Sequence, residues 1–323
     1  MRIFEASSEP MSLRWDGEEL EDVLGGFRRW TADGTELPGT WEPPYPFDQA
    51  VYSPSGRWTV VYQQHREHAL LLDGRDVVRV LDREYIEGDD PRSSAPALAT
   101  LPDGREVLFT PDLYLKIEDL VAGKDLTYLN HHTVGMTEFH RFTPSPDGRR
   151  LAAAEGKLSD GGGLRVYDVA EGLADGSHFL GDGLIPRKAT ADGTVGSVCW
   201  LDADRLAVAM TGWQYGIRPP ERLGPWELGV WSFTEERWLH RSPATGPWGT
   251  IVAVGGNRVV ALDGHPRLVD ATTGEELTQW PEVPLPEDEL PYGRLLRPVT
   301  AVHPDSTRLA IAARTSITVL DLG

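Results

Sequence analysis

"FTPSPDGRRLAAAEG", residues 142–156, places a tight-turn signal between two apolar flanks. Pro146 fixes φ at roughly −65°, Asp147 accepts a local backbone hydrogen bond, and Gly148 takes the left-handed conformation that ends such a turn. "EFHRF" before the turn and "RLAAAEG" after it read as short strands, so Ser145 to Gly148 is a hairpin corner.

The same pattern recurs along the chain. It returns as "AVYSPSGRWTVVY" around Ser53 to Gly56, "ALATLPDGREVLF" around Leu101 to Gly104, "VCWLDADRLAVAM" around Leu201 to Asp204 and "TAVHPDSTRLAIAA" around His303 to Ser306. Weaker copies are "SLRWDGEELEDVL" near the start and "TIVAVGGNRVVAL" at Val254 to Asn257, making seven. Each is followed by a second short strand that usually ends in Asp and a turn: "FRRWTADGTEL", "ALLLDGRD", "LYLKIEDLVAGKDL", "LRVYDVAEG", "LGVWSFTEERW", "RLVDATTGEEL" and "SITVLDLG". Self-similarity at this spacing marks a repeat architecture, and a four-stranded unit of roughly 40 to 50 residues is a propeller blade. The expected fold is all-β: one domain over residues 1–323, a seven-bladed β-propeller of four-stranded antiparallel blades.

Two of these copies, "SPDGRRLAAAEG...LRVYDV" and "HPDSTRLAIAARTSITVLDL", resemble the WD40-like repeats of TolB-type and related propellers. The resemblance covers nearly the whole chain. What it implies is blade geometry, and no ligand. The Gly-His pair at Gly264-His265 falls in a turn inside a blade, and no Trp-Asp closes a third strand, so the likeness is to these WD40-like repeats and not to WD40 blades proper.

The last copy stops at its third strand, "SITVLDLG", while "MRIFEA" at the other end is strand-like and has no blade of its own. An open sheet edge is an aggregation hazard. Met1 to Ala6 is therefore expected to form the outer strand of the blade over residues 299–323.

Composition narrows the partners. Fifty acidic against 31 basic residues give a formal charge of −19. Such a surface repels phosphate backbones and anionic membranes and favours a basic protein partner, although acidity also serves solubility. The basic residues are mostly Arg, as in GC-rich bacterial genomes. There is no signal-like start and no run of about 18 apolar residues, which makes the cytoplasm the expected compartment. Cys199 is the single cysteine, so neither an intrachain disulfide nor a thiolate zinc site can form. Its place in "SVCWL" reads as a buried thiol on an inner strand.

In a four-stranded blade, first-to-second and third-to-fourth turns share one face, and here those turns are short. The longer connections collect on the opposite face: residues 40–49, 63–68, 84–96, 130–138, 157–163, 181–196, 212–226 and 281–296. Long loops on a rigid scaffold are where binding resides. "GWQYGIRPPERLGPW", residues 212–226, is the strongest signal among them. Trp213, Tyr215 and Trp226 accompany Arg218 and Arg222, the residue types that dominate interaction hot spots. The alternative is a loop that packs on itself as a satellite core.

His131, His132, Glu138 and His140 gather on the same face, with His65, Glu67 and His68 on a neighbouring blade, but their spacings match no metal signature. No nucleophile elbow and no phosphate-binding glycine motif is present. Glu87, Asp89 and Asp90 read as a solvated loop. No metal and no cofactor is expected. Two function classes remain: a non-enzymatic protein-interaction module using the long-loop face, and, alternatively, an enzyme or small-molecule binder. The second would use the mouth of the central channel, near Gln49, Glu138, His140 and Ser197.

Overall fold

The computed structural model describes residues 1–63, 68–82, 96–111, 114–130, 139–155, 164–174, 194–211, 226–244, 250–283, 285 and 299–323. They form seven antiparallel blades around a ring. Blade one comprises Arg14–Asp16, Glu19–Asp22, Arg28–Trp30 and Glu36–Leu37. Blade two comprises Gln49–Tyr52, Trp58–Tyr62, His68–Asp73 and Asp76–Asp82. Blade three comprises Ala97–Thr100, Glu106–Pro111, Tyr114–Asp119 and Lys124–Asn130. Blade four has three strands among the described residues, Phe139–Pro144, Arg150–Glu155 and Leu164–Asp168. Blade five runs through Thr194–Trp200, Arg205–Thr211, Trp226–Ser232 and Arg237–Ala244. Blade six is Thr250–Ala253, Arg258–Asp263, His265–Asp270 and Glu276–Gln279. Blade seven holds Val299–Val302, Arg308–Ala313 and Ser316–Asp321.

Blade seven takes its fourth strand from the start of the chain. Arg2–Glu5 pairs antiparallel with its third strand, Arg2 opposite Val319 and Glu5 opposite Ser316. The Met1 ammonium meets the Asp321 carboxylate at 2.8 Å. The ring is closed as the unpartnered "MRIFEA" predicts.

Why the strands read as apolar runs and not as a clean alternation is now plain. Each sheet is covered on both faces by its neighbours, so successive side chains enter opposite seams. In "WTVVY", Trp58, Val60 and Tyr62 pack toward blade three while Val61 packs toward blade one. The buried apolar residues fall into seven clusters, one at each seam of the ring.

The short-turn face is stitched by polar contacts across these seams. The residue that opens a second strand repeatedly reaches the next blade. Arg150 donates to the Ala203 carbonyl, Arg205 to Asn257, and Arg258 to the Leu322 and Gly323 carbonyls. Arg308 pairs with Glu18 at 2.9 Å, and Trp58 donates its indole N–H to Glu106 at 2.6 Å. At the inner strands, the Trp15 and Trp200 indoles donate to Ala301 and Thr143 of the adjacent blade.

Aspartates at the ends of third strands cap the connection to the fourth. Asp119 accepts from the Val121 and Ala122 amides, and Asp270 from those of Thr272 and Thr273. In blade four the sequence predicts a tight turn at "AEGL", but the structure has a short helix, Val169–Ala174. Asp168 accepts the Ala170 and Glu171 amides, the N-cap arrangement that starts a helix.

Among the described residues, four outer strands carry a one-residue bulge near their start, leaving Val78, Leu126, Leu239 and Leu277 without a direct ladder partner. Bulges bend and twist an edge away from foreign strands, which is how exposed propeller rims avoid edge-to-edge pairing.

Candidate functional site

Strand order fixes which ends of each blade share a face. The SPDG-type turns and the third-to-fourth connections lie together, and the other connections leave from the opposite, long-connection face.

On the short-turn face, many charged side chains are committed to the scaffold. Beyond the seam contacts, Arg57 pairs with Asp73, Arg105 with Asp103 and Arg149 with Asp168. The His303 ring lies edge-on to Trp15 at 4.8 Å, with Nδ1 2.6 Å from Asp305. Hydrogen bonds from the Thr307 amide and hydroxyl, with the His303 ring beside it, hold the Asp305 carboxyl down at about 2.

Of the expected binding residues, Trp213, Tyr215, Arg218, Arg222, His131, His132 and Glu138 lie outside the described residues. Their segments join strands that end and restart on the long-connection face, Thr211 to Trp226 and Asn130 to Phe139. Trp226 opens a third strand, opposite Ala244. His140 is the bulged residue of an inner strand, between the pairs Phe139–Glu155 and Arg141–Ala154. His65, Glu67, Glu87, Asp89 and Asp90 also lie outside the described residues, and of His68 only the backbone is described. Gln49, at the start of an inner strand, is half-buried. Ser197 does not fit the channel-mouth expectation. It is buried, and its Oγ accepts the Ile251 amide at 3.2 Å, so it belongs to the seam between blades five and six. Cys199, expected to be buried, is half-buried against the cluster between blades five and six, and desolvation pushes its thiol up to about 12.

The largest stretch of loop described on the long-connection face is a corner over blades one and two. Asp22, completely buried, accepts from the Ser12 amide and hydroxyl and from Arg28 at 2.8 Å. The Leu24 amide donates to the Ser12 hydroxyl oxygen, which ties residues 10–13 to the loop 23–27. That loop in turn holds residues 39–41: the Thr40 and Trp41 amides both donate to the Gly26 carbonyl, at 2.8 and 3.1 Å. A Cβ on Gly26, whose φ is +75°, would lie 2.1 Å from the Trp41 carbonyl oxygen, so glycine alone allows this approach. Phe27 has φ 62°, rare for a bulky residue, and is held there by burial against the Trp41 ring at 5.4 Å.

From this base the segment 43–46 projects. Phe47 is the buried foot, the Phe47 amide donates to the Tyr45 carbonyl at 2.9 Å, and Gln63 donates to the Pro46 carbonyl. Tyr45 is 39% exposed and Met11 44%. In the sequence this connection counts among the long ones on this face, most weight falls on residues 212–226, and the prolines that bracket Tyr45 are not singled out.

Among the described residues no group of three or more His, Cys, Asp or Glu side chains is arranged to hold a metal ion, and no helix is long and apolar enough to cross a membrane.

No protein-family model matches the chain, and no curated protein matches it. In solved structures 1307 chains match, too many for the fold alone to select a function. One belongs to the crystal structure of a mitotic checkpoint complex. At 14% identity it superimposes over 99% of this chain and 90% of its own length, with a TM-score of 0.61. At that identity the likeness extends to the fold: this chain is a seven-bladed β-propeller with the ring architecture of that solved chain.

Proposed function

We propose that this propeller is a non-enzymatic protein-interaction module that binds a partner protein through its long-connection face. The observation that carries the reading is the unequal use of the two faces. On the short-turn face, arginines and carboxylates are engaged with neighbouring blades or with their own blade's turns, whereas the long connections, rich in Trp, Tyr, Pro and Arg, leave from the other. The matched solved chain comes from a multiprotein complex, which accords with an interaction role. The repeats' resemblance to TolB-type propellers belongs to the same reading, since it implies a rigid carrier of loops. With a charge of −19, the favoured partner is basic, and nucleic acid and anionic membranes are disfavoured.

Residues 212–226 are proposed as one anchor, through Trp213, Tyr215, Arg218, Arg222 and Trp226, with His131, His132, Glu138 and His140 on the same face. In affinity capture, one protein at stoichiometric yield is expected. Trp213→Ala or Trp226→Ala should weaken its binding by about 2 kcal/mol or more, the hot-spot range, with the melting temperature nearly unchanged. A drop of several degrees in melting temperature, with affinity per folded molecule preserved, would instead make the loop a structural plug.

A further inference from the structure

We infer that the corner built by residues 9–12, 24–26 and 40–46 is a docking surface for a short basic segment of a partner protein, one that carries an apolar side chain beside its Lys or Arg residues. The inference rests on the long-connection face being the binding face, and it adds a place and a partner chemistry.

Three observations carry it. First, the corner is rigid. Asp22, Ser12, Arg28 and Gly26 lock its three segments together, and Phe47 and Gln63 anchor the projecting turn. Pro43, Pro44 and Pro46 fix their own φ angles around Tyr45. A group held in its bound conformation loses little entropy on association.

Second, this rigid base exposes apolar groups. Met11 and Tyr45 are large apolar side chains left exposed, while Trp41, half-buried, packs on Phe27. Aromatic groups presented at low entropy cost are the usual centres of protein interfaces.

Third, the exposed charges of the corner are, among the described residues, acidic. Glu9 and Glu42 are exposed, Asp48 is half-buried, and residues 5–13, 23–26 and 38–50 contain no Lys or Arg. Two described cations reach this corner and both are paired: Arg28 is buried against Asp22, and Arg75, whose guanidinium lies over the Phe27 ring, pairs with Glu21. Exposed apolar groups alongside the exposed Glu9 and Glu42 complement a cationic segment bearing an apolar side chain, and Coulomb attraction of this kind fades with added salt.

The test is selection of short random peptides displayed on phage against the immobilised full chain, followed by titration of the enriched peptides. Expected are sequences that combine Lys or Arg with Trp, Phe or Leu and bind more weakly at high salt. Tyr45→Ala and Glu42→Lys should each weaken them at least about tenfold. Both positions are surface-exposed, and an unchanged melting temperature would show that the variants stay folded. If the peptides bind both variants as they bind the parent, yet lose affinity with Trp213→Ala or Trp226→Ala, the corner is overturned while the long-connection face stands. Peptides indifferent to all four substitutions and cross-linking to the short-turn face would overturn both readings. No enrichment above an unrelated bait would overturn the corner.

Discussion

Gly148→Val is expected to lower the melting temperature by about 10 °C or more, whereas Gly104→Val, at the equivalent place in the neighbouring blade's turn, should cost only a few degrees. Both glycines are left-handed, with φ of +67° and +85°, so a β-branched residue pays a conformational cost of ~1–3 kcal/mol at either site. The surroundings differ. A Cβ on Gly148 would lie 1.9 Å from the Thr100 carbonyl oxygen and 2.9 Å from the Leu101 Cα, backbone atoms of blade three that cannot swing aside. Around Gly104 there is nothing within 4 Å. Valine at 148 must therefore part blades three and four, taking the loss beyond about 4 kcal/mol, which at ~2–4 °C per kcal/mol gives the stated shift. Thermal unfolding followed by circular dichroism checks it. Binding per folded molecule should persist for both variants. Loss of binding with stability intact would mean that the roles of the two faces are reversed.

Removing residues 1–6 should be comparably severe. The deletion strips the fourth strand from blade seven and takes Phe4 and Ala6 from the cluster they share with Leu20, Trp30, Ile317 and Val319. Loss of a buried Phe side chain alone costs ~3–5 kcal/mol, and the exposed edge of Ser316–Asp321 invites aggregation. The same six residues transplanted through a short Gly/Ser linker to follow Gly323 should restore stability, because Met1 and Asp321 are already in contact. Unchanged melting after deletion, or no recovery in the permuted chain, would contradict closure by this strand.

Features decided by local chemistry were legible in the sequence. The SPDG turns, the Asp-terminated third strands and the orphan "MRIFEA" each report a backbone need satisfied within a few residues or by one missing partner. Contacts between blades were not legible. Nothing in "SPDGRR" tells that Gly148 faces Thr100 or that Arg150 reaches Ala203, because those partners lie about 50 residues away. "AEGL" reads as a turn, and the two amides that Asp168 accepts do not distinguish it from the turns capped in the same way by Asp119 and Asp270, so the short helix there was not legible locally. The outer-strand bulges leave no local mark either, since Val78 and Leu239 are ordinary strand residues. For the candidate site, the sequence identified a face and an aromatic-rich loop. That the segment leading to the Pro-bracketed Tyr45 is tied through Gly26 to a loop held by a buried Asp22–Arg28 pair needed the fold, which joins residue 12 to 22, 22 to 28, and 26 to 41.

The central claim is that the two faces divide labour, one holding the ring together and the other binding protein. Its most direct test is photo-cross-linking of a captured partner or an enriched basic peptide to the full chain, with the attachment sites mapped by mass spectrometry. The account predicts attachment within residues 9–12, 40–48, 131–138 or 212–226. Attachment confined to the turns at residues 53–57, 101–105, 145–149 and 303–307 would contradict it.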